Sequence, residues 1–206
     1  MITNGTARSI LPLLSIIFCG CISMSSEGTM GLEDLPAFTE NDLLRAVIEI
    51  PAGSTDKHEY DVATGTFPIS TRNGEPRRIR FLPYPANYGF IPGTRMNKDE
   101  GGDGDAIDVF VLCHALSTAT VLEVEAIGII ELLDAGERDD KVIAIPVDPA
   151  LRLVDASDVD HLPEGVREIL ITWLLNYDPE DGAELLAVKG RKEALAAVRR
   201  WQVDQP

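Results

Sequence analysis

Hydrophobic positions along the chain fall into short runs rich in β-branched residues, and helical spacing of such positions occurs near the C-terminus. Strands are predicted over residues 43–51, 58–62, 78–82, 109–113, 121–132 and 141–147. Turn dipeptides such as Asn73-Gly74 and Ala135-Gly136 separate these runs. Because the strands follow one another without intervening helices, the pattern indicates a small closed or half-closed β-barrel.

Two helices are predicted late in the chain. Residues 164–177 place apolar side chains, including Leu170 and Trp173, at helical spacing. Residues 192–201 are rich in alanine and are also predicted to be helical. The folded domain is predicted to begin near residue 41 and to cover residues 41–206.

Residues 1–40 differ from the rest of the chain and resemble a signal or lipoprotein segment followed by a tether. A single positive charge precedes an apolar run over residues 10–22, which has the length of a signal-peptide hydrophobic region. The residues before Cys21 resemble the lipobox of bacterial lipoproteins, so Cys21 is a candidate lipid anchor. The protein is therefore expected outside the cytoplasm, in the periplasm or anchored to a membrane. The alternative is a translation start at Met24 or Met30, which predicts a cytoplasmic protein.

The charge of the chain argues against nucleic-acid binding and in favour of a metal site. Its 206 residues carry 34 acidic and 18 basic side chains, a net charge of −16, which is opposite in sign to that of a typical nucleic-acid-binding protein. Three cysteines are too few for a disulfide framework. Residues 99–160 alone contain 16 acids and three bases. This concentration of carboxylates predicts a site for divalent metal ions with oxygen ligands.

The densest acidic segment covers residues 103–108. Asp103 and Asp105 lie two positions apart and face the same way in an extended chain, and Asp108 can join them if the chain turns at Ala106. Three carboxylates on one short loop suit Mg²⁺. The spacing does not fit an EF-hand, because the required glycine and final glutamate fall on other residue types.

Three further segments carry candidate chemistry. Residues 134–141 form an acidic hairpin loop between two apolar strands, which alone is typical of a solvated turn but can supply a second set of ligands. Glu49 interrupts an apolar strand, so it lies either at a sheet edge or in a cleft. Tyr88 lies in the aromatic residues 83–92, downstream of an arginine cluster, and arginine is well suited to bidentate binding of phosphate.

The order of these motifs resembles that of the soluble family I inorganic pyrophosphatases. The motifs are Ile-Glu-Ile-Pro, Lys-x-Glu, Tyr-Pro-x-Asn-Tyr-Gly-Phe-Ile-Pro, Asp-Gly-Asp-x-x-Asp-Val and Asp-x-Gly-Glu-x-Asp-x-Lys, and the resemblance as a whole runs from about residue 46 to residue 177. The resemblance implies a mainly β fold with flanking α-helices: an OB-like five-stranded β-barrel with C-terminal helices. It also implies a homo-oligomer that hydrolyses inorganic pyrophosphate to two orthophosphates, through a water activated by several Mg²⁺ ions.

The resemblance also implies roles for individual residues. The metal ligands that it indicates are Glu49, Glu59, Asp103, Asp105, Asp108, Asp134 and Asp139. The residues that it places on phosphate are Lys57, Arg77, Tyr88, Lys141 and Tyr177. Asp105 is in addition the expected base for the attacking water. Arg78 stays an alternative to Arg77, because the spacing to the tyrosine motif differs from the commonest form.

Two positions depart from the family pattern. Asp178 stands where a lysine usually follows the late tyrosine, and a carboxylate there is expected to repel phosphate unless a nearby cation substitutes. The candidates for that substitution are Lys189, Arg191 and Lys192. Ala106 stands where proline is common, without loss of a ligand.

Two alternatives to the pyrophosphatase function stay open. Because of Asp178, one alternative is a catalytically weak or dead lipoprotein that binds divalent metal or pyrophosphate. The other is a hydrolase of a different diphosphate, although the sequence shows no insertion that would supply a pocket for an organic group.

Overall fold

The computed structural model describes Met1 and residues 31–203, so the predicted signal segment with Cys21 lies outside the described residues. The strands in chain order are β1 (Leu44–Ile50), β2 (Thr71–Arg72), β3 (Glu75–Pro76), β4 (Asn87–Phe90), β5 (Asp108–Val111), β6 (Val121–Asp134), β7 (Glu137–Arg138), β8 (Lys141–Pro146) and β9 (Glu184–Gly190). The α-helices are α1 (Glu164–Leu174) and α2 (Arg191–Arg200). Between residues 31 and 203, no helix is long and apolar enough to cross a membrane.

Five strands close into a ring. β4 pairs antiparallel with both β1 and β5, and β5 runs parallel to β8. The long strand β6 completes the ring, because it pairs antiparallel with β1 at its start and with β8 further along. β9 extends the sheet on β6. The predicted fold class is confirmed: the protein is mainly β, with an OB-like five-stranded barrel and helices near the C-terminus.

The predictions of strands over residues 58–62 and 78–82 are wrong. These segments make isolated bridges, such as that between His58 and Ile69, and no continuous ladder. They belong to a long excursion between β1 and β4 in which most residues are exposed or half-buried. A strand needs a neighbour along its length to satisfy its backbone groups, and the barrel offers this excursion none.

Besides the two-residue strands β2, β3 and β7, two longer strands, β4 and β9, are not predicted by the hydrophobic pattern. β4 has the sequence Asn-Tyr-Gly-Phe, and its asparagine and glycine are residue types that favour turns. A Cβ atom at Gly89 would lie 1.8 Å from the carbonyl oxygen of Val47. Glycine is therefore required for β4 to pack so closely against β1.

Side chains of the barrel strands alternate between two hydrophobic clusters. On β5, Val109 and Val111 join a cluster that includes Val198 of α2, whereas Phe110 packs in the cluster that contains Trp173 of α1. Each helix therefore covers a different set of barrel side chains.

Packed structure begins before the predicted domain start at residue 41. Ala37 is 1% exposed and belongs to the same hydrophobic cluster as α2. Its carbonyl oxygen accepts a hydrogen bond from the backbone N–H of Arg45 at 2.8 Å. Residues 31–38 therefore pack against the barrel, although the sequence pattern indicates a tether there.

Candidate active site

One cavity, with a volume of about 640 Å³, collects the candidate residues. All twelve residues that the resemblance indicates line it: Glu49, Lys57, Glu59, Arg77, Tyr88, Asp103, Asp105, Asp108, Asp134, Asp139, Lys141 and Tyr177. They come from barrel strands, from the loops that join them and from the irregular excursion between β1 and β4. The fold thus brings distant motifs to a single place.

Four residues that line this cavity lie on barrel strands, and we call them the strand floor: Glu49, Tyr88, Asp108 and Lys141. The parallel register of β5 and β8 places Asp108 directly beside Lys141. The ammonium group of Lys141 donates to Asp108 Oδ2 at 2.5 Å, and the Tyr88 hydroxyl donates to the same oxygen at 2.5 Å. Lys141 also forms an ion pair with Asp139.

Lys141 is 2% exposed, so its charge depends on its neighbours. Burial alone would lower the pKa of Lys141, but the carboxylates of Asp108 and Asp139 outweigh burial and raise this pKa above its usual value. Burial raises the pKa of Asp108, and Lys141 opposes that effect. The strand floor therefore holds one fixed positive charge at neutral pH.

A β-bulge directs Glu49 into the cavity. The sequence leaves Glu49 either at a sheet edge or in a cleft, and the structure places it in the cleft. The ladder between β1 and β4 shifts register between Ile48 and Ile50, which makes Glu49 the extra residue. Glu49 Oε1 accepts a hydrogen bond from the backbone N–H of Tyr60 at 2.7 Å. Burial, together with the charge of Asp108, raises the pKa of Glu49 to about 8.

The loop before β5 presents Asp103 and Asp105 to the cavity. Gly104 has a φ of 92°, and the backbone N–H of Asp105 donates to Asp103 Oδ1 at 2.9 Å, which closes a tight turn. The carbonyl oxygen of Asp105 accepts from the backbone N–H of Met96 at 2.7 Å and so ties the loop to the core. Burial, with the charge of Asp139 adding to it, raises the pKa of Asp103 to about 7.

The turn between β6 and β7 supplies the second acidic pair. Ala135 and Gly136 have φ values of 50° and 85°, and positive φ at both central positions is what a type I′ hairpin requires. Asp134 Oδ1 is buried and has no hydrogen-bond partner in the described part of the chain. Burial, together with the charge of Asp139, raises the pKa of Asp134. The predicted acidic hairpin is confirmed.

The donor set fits a hard divalent cation, because it consists of carboxylate oxygens and includes the unpartnered Asp134 Oδ1. Across residues 31–203, however, no three carboxylate, histidine or cysteine side chains lie close enough together to hold one ion. Lys141 occupies the carboxylates of Asp108 and Asp139 instead. The predicted ligands therefore line one cavity, but no three of them within residues 31–203 converge on a single metal position.

Lys57 and Arg77 reach the cavity from the irregular excursion between β1 and β4. Lys57 Nζ lies 3.2 Å from Glu59 Oε1, and Arg77 Nη1 lies 3.6 Å from the same oxygen. Burial alone would raise the pKa of Glu59, but Lys57 and its other polar neighbours outweigh burial and lower it. Arg78 binds Asp56 at 2.9 Å and does not line the cavity.

No sequence motif points to Arg72 or Asp181, which also line the cavity. Arg72 ends β2, directly before the Asn-Gly turn of the β2–β3 hairpin. Its guanidinium donates to Asp178 at 3.3 Å and to Asp181 at 2.8 Å, and Arg77 donates to Asp178 at 2.9 Å. We call this group of four, Arg72, Arg77, Asp178 and Asp181, the arginine rim. The Asn-Gly turn predicts a hairpin there but not what the hairpin contacts.

Aromatic packing holds Tyr177 just after α1. Its ring stacks on that of Trp173, with ring centroids 4.5 Å apart and an interplanar angle of 5°. Trp173 is in turn fixed by a hydrogen bond from its indole N–H to the carbonyl oxygen of Leu82 at 2.8 Å. Burial raises the pKa of Tyr177, so its hydroxyl stays protonated and is available as a donor.

Carboxylates that suit divalent cations thus share one cavity with lysine, arginine and tyrosine donors that suit phosphate oxygens. Bound cations would reverse the sign of the acidic surface and make it attractive to an anion. The fold and the cavity define a β-barrel protein with side chains that suit divalent cations and phosphate in one site.

Known proteins of this class match the chain. Residues 46–204 match the family model described as inorganic pyrophosphatase. The inorganic pyrophosphatase of Sulfolobus acidocaldarius is 30% identical over 174 residues, which cover 82% of this chain and 92% of that protein. That of Aquifex pyrophilus is 32% identical over 181 residues, which cover 83% of this chain and 94% of that protein. The crystal structure of inorganic pyrophosphatase from Thermus thermophilus superposes with a TM-score of 0.71 at 30% identity, covering 82% of this chain and 95% of that chain.

The chain belongs to the inorganic pyrophosphatase family. The resemblance seen in its five motifs is confirmed, and family membership implies the use of divalent metal ions.

Proposed function

We propose that this protein hydrolyses inorganic pyrophosphate to two orthophosphates with Mg²⁺ as its metal. The observation that carries the proposal is the placement of all the predicted carboxylates and phosphate-contacting residues around one cavity. The relatives named above are inorganic pyrophosphatases, which supports the same substrate. Carboxylate oxygens support Mg²⁺ as the ion. When bound, such ions supply neutralisation of phosphate charge and acidification of an attacking water.

The protein's own side chains would position the two phosphoryl groups. Lys57, Arg77 and Lys141 supply positive charge at the cavity wall. Tyr88 and Tyr177 supply hydroxyl donors whose pKa values are raised, so both stay protonated. Because phosphoryl transfer needs little covalent chemistry from the protein, positioning and electrostatic stabilisation carry most of the catalysis.

Asp105 is the proposed base for the attacking water. It lies on the tight loop before β5, where its carboxylate faces the cavity and the loop backbone is fixed to the core. Asp105→Asn should lower kcat by about 10²- to 10⁴-fold, because an amide cannot accept the proton. The control is Asp155→Asn, since Asp155 is an exposed aspartate outside the cavity. Near wild-type turnover in Asp105→Asn would exclude the role of base.

Release of orthophosphate tests the function itself. Pyrophosphate and ADP are compared in the same Mg²⁺ buffer, and Mn²⁺ and Ca²⁺ are then substituted for Mg²⁺. We expect rapid release from pyrophosphate with Mg²⁺ and little from ADP. Equal release from ADP would favour a hydrolase of another diphosphate.

The alternative of a catalytically dead binding protein depends on Asp178. Arg72 and Arg77 both bind its carboxylate, so its negative charge is offset at the cavity. This pairing removes the one sequence feature that favours the alternative.

We also propose that the protein is a homo-oligomer outside the cytoplasm with Cys21 as a lipid anchor. The apolar run over residues 10–22 and the residues before Cys21 support the location and the anchor, and family resemblance supports the oligomer. Cells that express wild type or Cys21→Ala are grown with a labelled fatty acid and fractionated. Label in the wild type alone is expected, whereas an unlabelled wild type in the cytosol would contradict the proposal. Light scattering of the purified protein measures the oligomeric state.

A further inference from the structure

A second cavity, with a volume of about 540 Å³, adjoins the candidate active site, and Arg95 and Gly104 line both. Its other walls are the segment around Lys98 and the end of α2 with the residues that follow. None of the twelve candidate residues of the active site lines it. Its volume lies within the range of small-molecule binding sites, so it can hold a ligand of its own.

The charge of this second cavity is opposite to that of the chain. Arg95, Lys98 and Arg200 line it, and Glu100 is its one acid among the described residues. The chain as a whole carries 34 acids and 18 bases. A positively charged cavity in so acidic a protein attracts anions to one place.

Two of these cations have no acidic partner in the described part of the chain. Within residues 31–203, no carboxylate forms an ion pair with Arg95 or Lys98, and both residues are exposed. Arg200 does have a partner, because its Nη2 donates to Glu100 Oε2 at 2.8 Å. Its guanidinium also lies over the Trp201 ring, 4.5 Å from the centroid, and is thereby held in place. The acid of the cavity is thus engaged, whereas two of its cations are available.

Asn97 adds neutral donors to the second cavity. Its side-chain oxygen accepts a hydrogen bond from the backbone N–H of Asp99 at 2.9 Å, so the amide N–H groups remain for a ligand. Guanidinium, ammonium and amide groups together supply donors around one space. Such a set suits the oxygens of a phosphate group.

The segment that lines the second cavity also supports the loop that carries Asp103 and Asp105. The backbone N–H of Gly104 donates to the carbonyl oxygen of Met96 at 2.8 Å, and that of Met96 donates to the carbonyl oxygen of Asp105 at 2.7 Å. The stem of Lys98 packs on Gly104, where a Cβ atom would lie 3.2 Å from Lys98 Cγ. A ligand held by Lys98 therefore lies next to this loop.

We propose that the second cavity binds the phosphate group of a small molecule, and that its occupation strengthens the binding of divalent cations at the loop with Asp103 and Asp105. The ligand's negative charge offsets that of Lys98, which otherwise repels a cation at the loop. Thermodynamic linkage makes the effect mutual, so bound cations also strengthen binding of the ligand. The proposal goes beyond pyrophosphate hydrolysis, because it uses none of the residues assigned to that substrate.

Calorimetric titration with inorganic phosphate in EDTA tests the binding site. Without cations, the carboxylates of the candidate active site repel phosphate and weaken binding there. Lys98→Gln should weaken phosphate binding by about tenfold, the effect of losing a charge-assisted hydrogen bond. Lys98→Arg keeps the charge and should stay within about threefold of wild type. The matched control is Lys192→Gln, because Lys192 is also exposed but lines neither cavity.

Two further arms identify the source of the phosphate group and the cavity that binds it. Tighter binding of glycerol 3-phosphate than of inorganic phosphate would assign the site to a phosphate-bearing metabolite, and the reverse order would assign it to the free ion. Arg77→Gln reports on the candidate active site and should leave the affinity unchanged. An affinity that is lost in Arg77→Gln and kept in Lys98→Gln would overturn the proposal, as would a wild type that binds neither compound.

Titration with Mg²⁺, with and without glycerol 3-phosphate, tests the link to the loop. Wild type should bind Mg²⁺ about fivefold more tightly when the phosphate compound is present, and Lys98→Gln should show no gain. An equal gain in both proteins, or no gain in wild type, contradicts the link. None of these titrations measures hydrolysis, so a failure of this inference and a failure of the proposed function are distinguishable.

Discussion

The strand floor and the arginine rim use the same kinds of ionisable group but hold them differently. In the strand floor, Asp108 and Lys141 are register partners on neighbouring strands, and Lys141 is 2% exposed. In the arginine rim, Arg72 and Asp178 are 106 residues apart in sequence, and they meet where a two-residue strand approaches an irregular turn. Backbone pairing between strands fixes the strand floor, whereas ion pairs between side chains fix the arginine rim.

This difference decides what each ion pair contributes. The Lys141 ammonium on the strand floor is shielded from water, with a side chain that is 3% exposed, so breaking its ion pairs has a large cost in stability. In the arginine rim, Arg72 keeps contact with water, with a side chain that is 34% exposed, which weakens its attraction to the aspartates and leaves it able to bind a ligand. We therefore expect the strand floor to govern stability and the arginine rim to govern affinity.

The largest expected effect follows from removing the floor cation. Lys141→Met leaves Asp108 and Asp139 without their shared partner, and should lower the free energy of unfolding by about 3–5 kcal/mol. The measurement is urea unfolding in EDTA, so that metal binding does not offset the loss. Lys189→Met is the control, because Lys189 is 43% exposed and its pair with Glu131 should be worth less than about 1 kcal/mol. Equal losses in the two variants would remove the distinction between buried and exposed pairs.

The pH dependence of stability tests the strand floor through Glu49. The pKa of this carboxyl is about 8 in the folded protein against 4.5 for an ordinary glutamate. Between these pH values the folded state keeps a proton that the unfolded chain has lost. The free energy of unfolding should therefore fall as pH rises through this window, by at most about 1.4 kcal/mol per pH unit. Glu49→Gln should remove this contribution in urea titrations performed in EDTA.

Asp103→Asn provides the control for the pH prediction. The pKa of Asp103 is about 7, so its own contribution ends nearer to that pH. Above pH 7, Glu49→Gln should lose more of the wild-type decline in stability than Asp103→Asn does. A Glu49→Gln protein with the wild-type slope would show that another group holds the proton.

Sequence patterns anticipate three of the four strand-floor residues, because these stand at strong strand signals, whereas Tyr88 lies on β4, which the hydrophobic pattern does not predict. Asp108 and Lys141 are the first residues of apolar strands, and Glu49 lies inside one, so these motifs are fixed to elements that the pattern predicts. The parallel pairing of β5 with β8 is not visible in the sequence. Neither is the bulge that turns Glu49 into the cavity, because both depend on which strands become neighbours.

The arginine rim is not predictable in this way. It depends on residues 51–86, where strand predictions over 58–62 and 78–82 are wrong and the backbone is held by isolated bridges and a short hairpin. In such a segment no periodicity tells which side chain reaches which partner. Asp178 is an example. From the sequence, its negative charge suggests repulsion of phosphate, and only the tertiary structure shows that Arg72 and Arg77 bind its carboxylate.

The smallest expected effect is a difference in KM between variants of two adjacent arginines, Arg77 of the arginine rim and Arg78 outside it. Arg77 faces the cavity with its side chain 18% exposed, whereas Arg78 is 62% exposed and bound to Asp56. Arg77→Gln should raise KM for pyrophosphate by about tenfold, because it removes a charge-assisted hydrogen bond to the ligand. Arg78→Gln should change KM by less than about twofold, since an exposed ion pair outside the cavity contributes little. A larger change in KM for Arg78→Gln than for Arg77→Gln would reassign the phosphate contact and require the excursion before β4 to adopt another register when ligand binds.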